Sequence, residues 1–133
     1  MGSKHYIMIV GIGIDIVEID RIKNSVEKYG DHFLNKVFTE KEKAYCNSKK
    51  VPYSSLAGRF AAKEAAFKAL GTGLQNGIGW QMVEVINDTL GKPTLHLYGK
   101  AKELTDTLNV SQYHVSISHC KGNAVAQVIL EAI

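Results

Sequence analysis

The chain is poor in cysteine: Cys46 and Cys120 are its only two among 133 residues. Two thiols cannot build the dense bridging framework of a small secreted domain, and they lack the pair spacing of metal ligands. They read as free thiols of a reducing compartment, so the expected location is the cytoplasm. A membrane-spanning run is also missing, because no segment reaches the ~20 apolar residues that cross a bilayer. The apolar stretch from Tyr6 to Val17 is short, is interrupted by Asp15 and lacks a small-residue cleavage site, which argues against a signal peptide. Charge of one sign is scarcely in excess. Lys plus Arg is 16 and Asp plus Glu is 13, a balance of +3. That is too weak to argue for nucleic acid or an anionic membrane. The basic residues are not interleaved with a stacking platform of aromatics either. No internal repeat, low-complexity tract or linker divides the chain.

What is present suits a globular protein. Hydrophobic residues make up 45%, which excludes a largely disordered chain. The length fits one compact domain with its own core. A substrate pocket is harder to provide at this size and invites completion by a second subunit. Residues 1–7 read as an added leader, with Met8 as the natural start of a domain spanning 8–133. The small net charge is also unevenly placed: residues 19–78 hold 11 Lys/Arg against 6 Asp/Glu, and the remainder is net −2.

The pattern predicts an α+β fold, a single compact domain with an antiparallel sheet and packed helices. A strand is expected from Ile7 to Val17. Val10, Ile12, Ile14 and Ile16 share one face, with Gly11, Gly13, Asp15 and Val17 on the other. A helix follows from Ile19 to about Tyr29, stopped by Gly30. Thr39 to Glu42 resembles a capping box opening a short helix through Cys46. Ser54 or Ser55 can cap an alanine-rich helix that runs to about Leu70, with Gly71 past its end. Trp80–Ile86 and Thr94–Tyr98 read as strands around a turn at 87–93. A helix over Gly99–Leu108 precedes a hairpin of Tyr113–Ser118 and Ala124–Leu130.

Three segments carry candidate chemistry. Gly11-Ile12-Gly13-Ile14-Asp15 fails as a dinucleotide fingerprint, because position 16 is Ile. Asp15 is then either an edge carboxylate bonding neighbouring backbone or a metal or catalytic group, with the glycines making room for a bulky ligand. On the alanine-rich helix, Glu64 and Lys68 are one turn apart. They form either a solvated ion pair or part of a site. Arg59, Lys63 and Phe67 make a second stripe, and charges on a packed helix need partners. A hard divalent cation takes carboxylate oxygens, and phosphates bound to it favour a nearby Lys. Asp15, Glu64 and Lys68 fit that pair of needs. In His114-Val115-Ser116-Ile117-Ser118-His119 the serines share a strand face with His114, and His119 falls at the strand's end. The alternatives are structural histidines or donors to a phosphate. No G-x-S-x-G elbow supports a serine nucleophile.

Taken together, G-I-G-I-D, A-G-R-F-A-A-K-E-A-A-F-K-A-L-G-T-G and H-V-S-I-S-H resemble the holo-acyl-carrier-protein synthases, the small single-domain class of phosphopantetheinyl transferases. The resemblance runs from about Met8 to Leu130. It implies transfer of the 4′-phosphopantetheine arm of coenzyme A to a serine of apo acyl-carrier protein, with adenosine 3′,5′-bisphosphate as the other product. It implies Mg2+ held by Asp15 and Glu64, with Asp15, Glu64 and Lys68 as the catalytic set. It implies coenzyme A bound by Arg59, Lys68, Gly71, Ser118 and His119. It further implies a homotrimer with sites between subunits, and a first helix that docks an acidic carrier protein through Arg21, Lys23 and Lys28. Two other readings of the same residues are a metal-dependent phosphohydrolase and a coenzyme A-binding module without chemistry.

Overall fold

The computed structural model describes residues 6–75 and 77–133, so most of the expected leader lies outside the described residues. The elements run β1 (Met8–Glu18), α1 (Ile19–Tyr29), α2 (Asp31–Val37), α3 (Glu40–Asn47) and α4 (Tyr53–Leu70). A 3-10 turn at Trp80–Met82 leads into β2 (Val83–Asn87), β3 (Pro93–Leu97), α5 (Gly99–Thr107), β4 (Val110–Cys120) and β5 (Asn123–Ala132). The fold is α+β, as the pattern predicts. β5 is the central strand of a three-stranded antiparallel sheet ordered β1-β5-β4, and β2 pairs with β3 in a separate hairpin.

α4 lies across the inner face of the large sheet. Alternation on β5 puts Ala124, Ala126, Val128 and Leu130 into that contact, all buried. The facing surface of α4 is alanine, and β1 meets it with glycine. A Cβ at Gly13 would lie 1.8 Å from the Ala65 carbonyl oxygen, and one at Gly11 would lie 2.1 Å from that of Ala69. The bare glycine face of β1 thus admits helix backbone, not the bulky ligand that the sequence left open. Its isoleucine face points outward: Ile12, Ile14 and Ile16 are 56%, 57% and 66% exposed.

Local signals explain most element ends. Thr39 caps α3 by accepting from Glu42 N–H at 3.3 Å, while the Glu42 carboxylate accepts from Thr39 N–H at 2.9 Å. Gly71 ends α4 with φ +81°, a left-handed conformation that suits glycine. Three details differ from the sequence reading. Asp31–Val37 forms a helix that the pattern does not announce. α4 begins at Tyr53 behind Pro52, so neither Ser54 nor Ser55 caps it; the Pro52 carbonyl takes Leu56 N–H at 2.9 Å instead. Trp80–Met82 is a 3-10 turn rather than the start of a strand, because the Trp80 ring stacks on Phe60 at 5.0 Å and meets Phe67 edge-on at 5.3 Å.

Charge inside the core is paired. Lys63 and Glu42 are both fully buried and form an ion pair at 2.7 Å. Burial pulls the Lys63 ammonium's pKa down, and Glu42 opposes that pull. Glu84 is buried beside them and accepts from Thr39 Oγ1 at 2.5 Å and Tyr98 OH at 2.8 Å.

Candidate active site

Because β1 and α4 meet backbone to backbone, side chains flanking that contact are held close together. Asp15 leaves β1 two residues past Gly13, and Glu64 precedes Ala65 on α4. Lys68 Nζ sits 3.0 Å from Asp15 Oδ1 and also donates to the Ile14 carbonyl at 3.0 Å. The two partners, 53 positions apart in the chain, close into one ion pair. The Glu64 carboxyl titrates above its ordinary value. Burial is the main cause and the Asp15 carboxylate adds to it, while the Lys68 and Arg21 charges oppose both. The Glu64 carboxylate thus forms against both burial and the charge of Asp15, a setting that a divalent cation relieves.

A 370 Å3 cleft opens beside this group, lined by Glu64, Phe67, Lys68, Gly71, Gly73 and Leu74. Gly71 therefore stands where the sequence placed it, on the wall of the same cleft as Glu64 and Lys68. Phe67, Gly73 and Leu74 were not anticipated; the Gly71-Thr72-Gly73 spacing after the helix is the signal that could have found them. Among the described residues, no three or more His, Cys, Asp or Glu side chains converge as a metal cage. A donor set of two carboxylates suits Mg2+, which retains waters and shares its coordination with phosphates.

The remaining expected residues lie elsewhere in the chain. Arg59 is buried on the far side of α4. Its guanidinium donates to Asn87 Oδ1 and to the Ser55 carbonyl at 3.3 Å, and it covers the Tyr45 ring at 4.1 Å. Ser118 and His119 point to opposite faces of the sheet. The Ser118 side chain is on the outer face with Ile14 and Gln127. His119 faces α4, and a Cβ on Gly58 would lie 3.0 Å from its Nε2. Gly58 stands ten residues before Lys68, or roughly 15 Å along the helix axis. Within one chain, the His119 end and the Lys68 end of α4 are separate places.

Of the first-helix cations, Arg21 and Lys28 line a single 530 Å3 cleft together with Glu18, Asp20, Asn24 and Ser25. Arg21 also reaches inward, with its Cζ 5.7 Å from the Phe60 ring. Lys23 turns to Tyr53, with Nζ 5.8 Å from the ring, outside that cleft.

Comparison with known proteins covers nearly the whole chain. The holo-[acyl-carrier-protein] synthase of Trichlorobacter lovleyi is 51% identical over 125 residues, spanning 94% of this chain and 99% of the relative. The crystal structure of holo-[acyl-carrier-protein] synthase from Neisseria meningitidis superposes with a TM-score of 0.83 at 35% identity, over 92% of this chain and 98% of that one. A Bacillus anthracis holo-(acyl-carrier-protein) synthase, solved in complex with CoA (3′,5′-ADP), superposes at 0.78 with 41% identity, over 95% and 99%. Residues 11–128 match the 4′-phosphopantetheinyl transferase superfamily, and with Glu64, Lys68 and Gly71 on one cleft and Asp15 paired to Lys68 beside it, the chain belongs to that family.

Proposed function

We infer that this protein is a holo-acyl-carrier-protein synthase: it transfers the 4′-phosphopantetheine of coenzyme A to a serine of apo acyl-carrier protein. The relatives' names and the coenzyme A complex of the Bacillus anthracis enzyme carry that conclusion. In the reaction, the serine oxygen forms a bond to the β-phosphorus of the diphosphate. The bond to the departing adenosine 3′,5′-bisphosphate breaks. Little covalent work falls to the protein, so positioning and charge neutralisation dominate.

The roles of individual residues are our proposal. Asp15 and Glu64 would hold Mg2+, a fit supported by the chemistry of a donor set of two carboxylates beside one lysine. Bound there, the ion supplies neutralisation of charge at the diphosphate. Lys68 pairs with the same phosphates, and Gly71 lets backbone pass close to the nucleotide. Arg59, Ser118 and His119 contribute to coenzyme A binding, from positions that one chain keeps apart from Lys68. Arg21 and Lys28 receive the acidic carrier protein, with Lys23 at the edge of that face.

The protein acts as a cytoplasmic homotrimer with sites between subunits. Two observations support that assembly. Ile12, Ile14 and Ile16 form an exposed apolar stripe on the large sheet, continued by half-buried Val125 and Ile129 on the adjacent strand. Separation of His119 from Lys68 within one chain is resolved if a neighbour supplies one of the two. Cys46 and Cys120 are both free, in keeping with a reducing compartment. No helix among the described residues is long and apolar enough to cross a membrane.

Mass spectrometry of apo carrier protein after incubation with coenzyme A, Mg2+ and the enzyme tests the reaction. A gain of one phosphopantetheine is expected. Release of adenosine 3′,5′-bisphosphate without any acceptor protein would instead mark a phosphohydrolase.

A further inference from the structure

Lys63 is the charged side chain on α4 that none of these roles uses. It precedes Glu64 and points the opposite way, into the core, where it is fully buried. All three of its N–H groups are engaged. They reach Glu42 Oε1 at 2.7 Å, the Trp80 carbonyl at 3.0 Å and the Val83 carbonyl at 2.5 Å. Glu42 is itself fixed, accepting from Thr39 N–H at 2.9 Å and from Val85 N–H at 2.8 Å.

The partners matter for where they sit. Glu42 belongs to α3, and Val83 and Val85 belong to β2. Trp80 ends the segment that begins at Gly71, Gly73 and Leu74. That segment and α4 are the two walls of the cleft beside Glu64. One ammonium therefore ties both walls to the rest of the molecule. The sheet-facing surface of α4 is alanine and resists rotation poorly, so its rotation is left to the other buried side chains of the helix, Phe60, Phe67 and Lys63 among them. The glycines of β1 fix how closely the helix approaches; they leave its rotation to longer side chains. Successive helix residues are turned by 100°, so holding Lys63 inward sets the direction in which Glu64 leaves the helix.

We propose that Lys63 is a positioning residue: its hydrogen bonds to Glu42, Trp80 and Val83 set the rotation of α4 and the seat of Trp80, and thereby shape the coenzyme A cleft. The proposal rests on the assignment of that cleft to coenzyme A.

The test compares Lys63→Met with Val37→Ala, a core truncation on α2, none of whose residues lines the cleft. Coenzyme A binding is measured by titration calorimetry, KM and kcat by transfer to apo carrier protein, and folding by circular dichroism. Trp80 is the single tryptophan, so its emission reports the anchored end of the segment. For folded Lys63→Met, coenzyme A affinity is expected to fall by about 10- to 100-fold, KM to rise, and the Trp80 emission to shift. Val37→Ala is expected to lower Tm and move none of these. Should Lys63→Met not fold, Lys63→Gln retains two donors on a shorter arm and is expected to give the same pattern, weaker. Wild-type affinity and emission in a folded Lys63 variant would overturn the proposal, as would equal losses in Val37→Ala. Unfolding of both Lys63 variants would also overturn it, since Lys63 would then hold the fold and not the site. Failure of the wild type itself to bind coenzyme A would remove the cleft assignment, and the inference with it.

Discussion

Burial and the nearby Asp15 carboxylate both oppose ionisation of Glu64, and this has a consequence for stability. Its carboxyl titrates higher in the folded chain than the ordinary 4.5, so the folded state binds the proton more tightly than the unfolded one. The associated stability is full below the unfolded value and is lost as pH rises through the folded one. Glu64→Gln removes that loss. Its Tm should therefore exceed the wild type's at neutral pH, and the gap should close as pH falls towards 4.5; a gap that widens on acidification would contradict the stated cause. The same variant should lose activity by more than the ~100-fold typical of groups that act only through a metal ligand, measured as kcat/KM with saturating coenzyme A. Asp15, Glu64 and Lys68 were each legible in the sequence as residue types suited to a metal and phosphates. Their meeting was legible through the family resemblance and not through spacing, because Asp15 and Lys68 touch only through the fold. Arg59 shows another limit: its motif suggests a nucleotide contact, while its packing against Asn87 and Tyr45 depends on the rotation of α4 and has no signal in the sequence.

Elements differ in how plainly their sequences declare them. α4 was readable because alanine, a lack of β-branched residues and a terminal glycine all agree. The Thr39–Glu42 box marks α3 equally well. α2 escaped because seven residues carry too few turns for a period to emerge, and no side chain caps it. The closest contact in the molecule is between elements. Gly13→Ala would drive a methyl to 1.8 Å from the Ala65 carbonyl oxygen, and neither backbone can yield without shifting α4. A loss of roughly 1–3 kcal/mol is expected from overpacking alone, read from urea unfolding, with transfer activity falling alongside. The first helix offers a cleaner separation of function. Lys28 lies in the α1 cleft and away from Glu64, whereas Arg21 is within the field of that carboxylate. Lys28→Glu should raise KM for an acidic carrier protein several-fold and leave coenzyme A affinity unchanged. Equal losses in both would mean that α1 is not a docking face.

For the whole molecule, the isoleucine stripe is the feature that a single chain leaves unexplained. Exposed apolar side chains at 12, 14 and 16 sit on a flat sheet face, and such patches on soluble proteins mark interaction sites. On the proposed trimeric assembly, Ile14→Glu is expected to yield a monomer in sedimentation and to abolish transfer, while far-UV dichroism stays unchanged. An active monomer would refute shared sites. The excess of basic residues between positions 19 and 78 fits two anionic substrates arriving at α1 and α4. The glycine-to-alanine seam also bears on how freely this protein can be redesigned. Since β1 and α4 meet through main-chain atoms, the separation of the two elements that carry Asp15 and Glu64 is set by peptide geometry. Valine and leucine away from that seam can then be exchanged for residues of like volume with the two carboxylates still facing one site, provided Gly11, Gly13, Ala65 and Ala69 keep the approach of α4 and Lys63 keeps its rotation.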